Sequence, residues 1–105
     1  MDPGFAGFYS LADTVPIMVL CRNGSYVPTA PDAAPSFTVY DSSGSVVSAV
    51  TGSLGAADHN SKTGLRRGSF VASAGNGFAL GKYTILVQYA ISSTNYSVEL
   101  FFAIV

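Results

Sequence analysis

The chain has 105 residues, enough for one domain; 49% of them are hydrophobic and only 10% charged, against roughly 25% charged in ordinary soluble domains. Five Lys and Arg face six Asp and Glu, a formal net charge of −1, which excludes a basic nucleic-acid binder, a polybasic membrane anchor and a highly charged disordered tail. One cysteine, Cys21, excludes an internal disulfide and a cysteine-rich zinc site, and one histidine, His59, leaves little material for acid–base chemistry near neutral pH.

A folded chain of this size exposes about 5,500 Å², so its charges are spaced at about one per 500 Å². Such a surface gives a free, concentrated monomer weak colloidal protection. A subunit covered by its neighbours does not need that protection, and the composition points to a packing or assembly module rather than an enzyme. The competing explanation is a Ser/Thr-rich extracellular domain. No apolar stretch approaches the ~18 residues of a membrane span. Met1-Asp2-Pro3-Gly4 lacks the positive charge of a signal peptide. The run from Val15 to Cys21 superficially resembles a lipoprotein cleavage box, but Leu20 stands where a small residue is required. Synthesis in the cytoplasm without a signal peptide is expected.

Hydrophobic alternation with a period of two dominates, and no amphipathic helix pattern fits. Val15, Ile17, Val19 and Cys21 alternate with Thr14, Pro16, Met18 and Leu20, a strand apolar on both faces. Pro16 cannot donate to a ladder, which places this strand at a sheet edge or a bulge. Asn23-Gly24 predicts a tight hairpin turn, and three prolines in residues 28–35 predict a stiff, extended connection. Residues 36–40 form the next strand, with Phe37 and Val39 on one side. Asp41-Ser42-Ser43-Gly44 is a turn, and residues 45–50 are expected to return as its hairpin partner. Residues 51–64 read as the longest loop. Residues 65–74 read as a strand with Phe70, Ala72 and Ala74 on one face.

Residues 75–81 turn the chain into the cleanest strand, where Tyr83, Ile85, Val87 and Tyr89 alternate with Lys82, Thr84, Leu86 and Gln88. After Ser92-Ser93-Thr94-Asn95, Tyr96, Val98, Leu100, Phe102 and Ile104 alternate in the same way, and the two strands are expected to form a central hairpin. The pattern predicts an all-β fold: a single antiparallel immunoglobulin-like β-sandwich of six or seven strands spanning residues 1–105, with residues 1–9 as an extended N-terminal arm. Gly81-x-Tyr83 has the position of a tyrosine corner, while the Trp and the cysteine pair of antibody domains are absent.

Asp58-His59-Asn60 is the one cluster of acid, imidazole and amide, but it lies among turn-forming residues that cap and bend loops without doing chemistry. The glycines from Gly75 to Gly81 have G-x-G-x-x-x-G spacing and precede a strand, so they form a hairpin connection rather than a dinucleotide loop. Arg66-Arg67 is the only basic pair; consecutive strand residues put one guanidinium on each side, either as solvated charge or as a dock for a carboxylate. Asn23-Gly24-Ser25 and Asn95-Tyr96-Ser97 match the glycosylation sequon at predicted turns. Cys21 ends an apolar strand and reads as a small buried hydrophobe. At Leu100-Phe101-Phe102 both strand faces are apolar, so Phe101 faces outward, and with Leu86, Met18 and Leu20 it would make an interaction patch.

Asp13-Thr14-Val15-Pro16-Ile17, the segment from Pro31 to Asp41, Thr63-Gly64-Leu65, the segment from Gly77 to Tyr83 and the closing strand from Tyr96 to Val105 together resemble small phage structural proteins with immunoglobulin-like modules. The resemblance implies a part of a tailed-phage virion, most simply a capsid decoration (cement) protein, with no catalytic residues, no metal and no cofactor. The expected partners are virion subunits, the major capsid protein or a tail protein, in a homo-oligomer or symmetric array, with no nucleic acid and no membrane. Expected interface residues are Phe5, Phe8 and Tyr9 in the arm, Pro28 and Pro31 in the proline-rich connection, and Arg66, Arg67 and Phe101. The alternative is a tail- or fibre-associated module that binds a host receptor or carbohydrate through Tyr26, Tyr40 or Tyr96.

Overall fold

The computed structural model describes residues 4–56 and 63–105, with side chains from Gly7 onward in the first strand. Its strands are β1 (Gly4–Tyr9), β2 (Thr14–Leu20), β3 (Ser36–Asp41), β4 (Gly52–Ser53), β5 (Gly55–Ala56), β6 (Leu65–Val71), β7 (Gly81–Ile91) and β8 (Thr94–Ile104). They build two sheets, one in the order β1-β8-β7-β3-β4 and one in the order β2-β6-β5. Every pairing is antiparallel except that of β1 with β8, which runs parallel from Gly4 opposite Leu100 to Tyr9 opposite Ile104. The chain is all-β, in two sheets that face each other across one core.

Alternation sets that core. Val15, Ile17 and Val19 of β2 and Tyr83, Ile85 and Val87 of β7 are buried, while the residues between them are exposed or half-buried. β7 and β8 form the expected hairpin, paired from Gly81 opposite Ile104 to Ile91 opposite Thr94. Their turn is tighter than expected: it has two residues, Ser92 and Ser93, and β8 starts at Thr94. Pro16 lies on the terminal strand of the smaller sheet, the edge position its missing N–H requires.

Several expectations are corrected. Residues 45–50 do not return as a strand: Val46 makes one bridge to Tyr40, and Ser48–Val50 is a single 3-10 turn. Residues 75–81 do not close a hairpin, because β6 and β7 belong to different sheets; the segment is a corner between them. Ala74 leaves the strand face and is exposed in the 3-10 turn Ala74–Asn76. Residues 51–56 carry β4 and β5 around the buried Leu54 rather than a plain loop. The N-terminal segment is not a free arm, since residues 4–9 are a strand of the chain's own larger sheet.

Cys21 is a free, buried thiol, so no disulfide joins the sheets, and the main contact between them is side-chain packing. The smaller sheet's strands contribute one aromatic ring, Phe70. Its centroid lies 6.0 Å from Phe37, 5.6 Å from Phe78 and 5.7 Å from Phe102. Tyr83 stacks on Phe102 at 5.4 Å and meets Phe78 at 4.9 Å, so the rings run as a continuous aromatic seam between the layers. The Tyr83 hydroxyl accepts the Ala79 N–H at 2.9 Å and donates to the Ala79 carbonyl at 3.1 Å, fixing the corner that leads into β7. At the opposite pole Gly64 adopts φ +87°, and a Cβ there would stand 2.7 Å from the carbonyl oxygens of both Cys21 and Thr29. Only glycine allows the three backbones to cross so closely.

Phe70→Ala is expected to cost about 3–5 kcal/mol in denaturant unfolding, and Tyr83→Phe about 1 kcal/mol. A Phe70→Ala loss no larger than that of Tyr83→Phe would show that the aromatic seam does not hold the sheets together.

Candidate functional site

The predicted contact residues separate onto different faces. On the outer face of the larger sheet, Phe8 is 68% and Phe101 39% exposed. Strand register places Phe8 opposite Ala103 and Phe101 opposite Thr84, in the same row as Tyr40 and one row away from Leu86. Lys82 and Glu99 are the only charges on β7 and β8. Tyr9 points the other way, packing edge-on against Phe102 at 6.0 Å, and so contributes to the core rather than to an exposed contact. The Phe5 side chain lies outside the described part. Met18 and Leu20 sit on the smaller sheet, so they do not join Phe101 and Leu86 in one patch as expected.

Arg66 and Arg67 divide as consecutive strand residues must: Arg67, paired with Met18, is exposed on the outer face, while Arg66, paired with Val19, is half-buried and donates to the Leu65 carbonyl at 2.9 Å. They do not form a joint basic patch. Cys21 is fully buried, and burial raises its thiol pKa despite the nearby Arg66 guanidinium, so it behaves as a small apolar side chain. Asp58-His59-Asn60 lies outside the described residues. Among the described residues no group of three His, Cys, Asp or Glu side chains is placed to hold a metal.

In the proline-rich connection Pro28 is exposed, Pro31 half-buried and Pro35 buried. The segment is tied down by Asp32, a residue the sequence did not mark. Asp32 N–H donates to the Ala90 carbonyl at 2.8 Å, and its carboxylate accepts the N–H groups of Ser92 and Ser93, each at 3.0 Å. Ser92 and Ser93 have φ +51° and +65°, the type I′ geometry that Asn-Gly adopts easily and serine does not. Asp32 therefore supplies what the turn sequence lacks. The Ser93 and then the Ser92 hydrogen bond hold its pKa below the usual value. The only recognisable cue is an Asp in a Pro-rich stretch, too common to be specific.

Beside this hairpin, at the same pole, lies a groove of about 470 Å³. Apolar Leu20, Val98 and Leu100 and the rings of Tyr26, Tyr89 and Tyr96 line it. Tyr89 and Tyr96 are directly opposite on β7 and β8, with ring centroids 5.5 Å apart and 21° between planes. The Tyr89 hydroxyl accepts the Arg22 N–H and donates to the Arg22 carbonyl, both at 3.1 Å, linking the larger sheet to the end of β2. Tyr26 is 73% exposed at φ +62°, a conformation that costs an L-residue roughly 1–2 kcal/mol. It is held by its N–H to Asn23 C=O at 2.9 Å and by Arg22 Nη1 on its carbonyl at 3.1 Å. Two of the three proposed stacking tyrosines, Tyr26 and Tyr96, thus line one groove; Tyr40 lies on the opposite side of the larger sheet.

Comparison with family models, curated proteins and solved structures finds no match to this chain.

Because its folded pKa is depressed, Asp32 stabilises the protein fully above the ordinary aspartate pKa, about 3.9, and its contribution fades as pH falls through the lower folded value. In thermal melts, Asp32→Asn should lower stability at neutral pH and flatten the loss of stability below pH ~4. Ser93→Gly should raise stability by about 0.5–1 kcal/mol by relieving the positive φ and should shrink the effect of Asp32→Asn. Additive effects of the two substitutions would show that the carboxylate does not hold the turn.

Proposed function

We propose that this chain is a non-catalytic structural module of a tailed-phage virion, an immunoglobulin-like capsid decoration protein that docks on shell subunits through the outer face of its larger sheet. The strand order supports the immunoglobulin-like reading: β8, β7, β3 and β4 stand as G, F, C and C′, and β2, β6 and β5 as B, E and D. The Tyr83 hydroxyl bonded to the backbone of Ala79 supports the tyrosine-corner assignment.

The observation that carries the docking reading is the exposure of two large aromatics, Phe8 and Phe101, on one sheet face, where β7 and β8 contribute only two charges, Lys82 in the row of Phe8 and Glu99 one row from Phe101. Large exposed aromatics on a sheet face with few charges match the core of a protein interface rather than a solvated wall. A patch of about 800 Å² per partner suffices for stable docking, and a symmetric shell multiplies each weak contact. In this arrangement the protein binds neighbouring subunits and raises the particle's resistance to heat or internal pressure.

A second reading, a tail- or fibre-associated module that binds a host receptor or carbohydrate, is favoured by Tyr26 and Tyr96 lining the same groove. It predicts binding through the pole of the sandwich rather than through the outer face.

Add-back to particles stripped of accessory proteins separates the two. The protein is expected to co-sediment with shells at a fixed stoichiometry. Phe101→Glu should weaken that binding at least tenfold, or about 1.4 kcal/mol, with little change in thermal stability because Phe101 is outside the core. Failure of the unsubstituted protein to bind shells or tails would reject the docking reading.

A further inference from the structure

The two sheets are unequal, and the mismatch leaves part of the larger one uncovered. Tyr96, Val98 and Leu100 point toward the smaller sheet, as do Phe102 and Ile104 further along β8. Phe102 and Ile104 are sealed, at 0% and 2% exposure, whereas the other three are only half-buried. β2 is the terminal strand of the smaller sheet, and Met18, Val19 and Leu20 line the groove over Val98 and Leu100.

The hydrogen-bonding direction of β2 follows from its two ends. Cys21 N–H donates to the Gly64 carbonyl, and the Asp13 carbonyl accepts the Ala72 N–H. Antiparallel partners alternate, so odd-numbered residues of β2 bond to β6 and even-numbered residues face outward. Thr14, Met18 and Leu20 therefore present N–H and C=O groups, and Pro16 a C=O group, along an edge without a strand partner among the described residues. One step further, at Arg22, the same edge is satisfied by the Tyr89 hydroxyl. The groove thus has an apolar lining and, along one side, a row of main-chain donors and acceptors.

We infer that an extended segment of a partner protein adds to the outer edge of β2 as a fourth strand of the smaller sheet, placing alternate apolar side chains on Val98, Leu100 and the Tyr89–Tyr96 pair. Main-chain pairing would supply affinity, and the pockets beneath alternate residues specificity. The occupant is about seven residues long, roughly 23 Å at 3.3 Å per residue, with an apolar residue at every second position. Much of the polar chemistry around the groove is already committed. Asn23 Oδ1 accepts the N–H groups of Ser25 and Val27, the Tyr89 hydroxyl is used in both directions, and Arg22 Nη1 donates to Tyr26. What stays open is mainly the main-chain row of β2, whose donors and acceptors repeat at the spacing of a second extended backbone rather than of the hydroxyls on a sugar ring, and this favours a peptide over a saccharide. A second copy pairing through its own β2 would set Pro16 of each chain within the new ladder and lose donors there, which favours a different segment. The groove is separate from the outer sheet face, so this inference and the docking reading fail independently.

The test selects binders to the full chain from a displayed library of nine-residue peptides with apolar residues at alternate positions. Amide hydrogen exchange is then followed with a selected synthetic peptide. The amides of Met18 and Leu20 are expected to gain at least tenfold protection, and methyl signals of Val98 and Leu100 to shift. N-methylation of alternate peptide nitrogens should abolish both effects, and Leu20→Pro, which removes an outward donor without touching the ladder to β6, should weaken binding about tenfold. Enrichment of no peptide, or binding that leaves Met18 and Leu20 unprotected, would overturn the inference. Displacement of the peptide's role by free oligosaccharides that perturb Tyr26 and Tyr96, or concentration-dependent self-association that protects the same amides, would overturn it equally.

Discussion

The fold depends on burial between two sheets of unequal width. The strands of the smaller sheet bring one aromatic ring to the interface, Phe70, and three rings close around it, Phe37 and Phe102 from the larger sheet and Phe78 from the corner between the sheets. No disulfide shares this task. Where the layers overlap, the inward residues of β2, β3, β7 and β8 are sealed; where the larger sheet extends past β2, Tyr96, Val98 and Leu100 stay half-open. The same geometric fact that makes the core also makes the groove.

Polar groups work at the margins of this core rather than within it. The buried residues are apolar apart from the tyrosine of the corner, and no buried side-chain nitrogen or oxygen among the described residues lacks a partner. Three side chains fasten the ends of the sandwich to backbone: Tyr83 at the corner into β7, Tyr89 at the end of β2, and Asp32 on the β7–β8 turn. Each satisfies two main-chain groups at once. This is an economical way to order loops in a chain with few ions, because a neutral hydroxyl or a solvated carboxylate needs no buried counter-charge.

Scarcity of charge gives the surface its character. The outer sheet face around Phe8 and Phe101 and the edge of β2, unpaired among the described residues, are different kinds of surface. The first offers side chains over a broad sheet face and suits a flat subunit contact. The second offers main-chain groups beside a narrow apolar trough and suits an extended segment. The two surfaces are separate, and the assembly role proposed above and the strand-addition inference each use one of them.

Local alternation was enough to determine the strands β2, β3, β6, β7 and β8, the inward faces of β2 and β7, the restriction of Pro16 to an edge or a bulge, and the opposed directions of Arg66 and Arg67. Each of these depends only on neighbours one or two residues apart, through the period-two pleat and the missing proline N–H. Tertiary structure alone decided that residues 4–9 pair with β8, that Tyr9 turns inward, that Asp32 reaches a turn 60 residues away, and that Tyr26 and Tyr96 line one groove. Those outcomes depend on how the sheets stack and where one ends before the other, and pairing between distant strands leaves no periodic trace in the residues that make it.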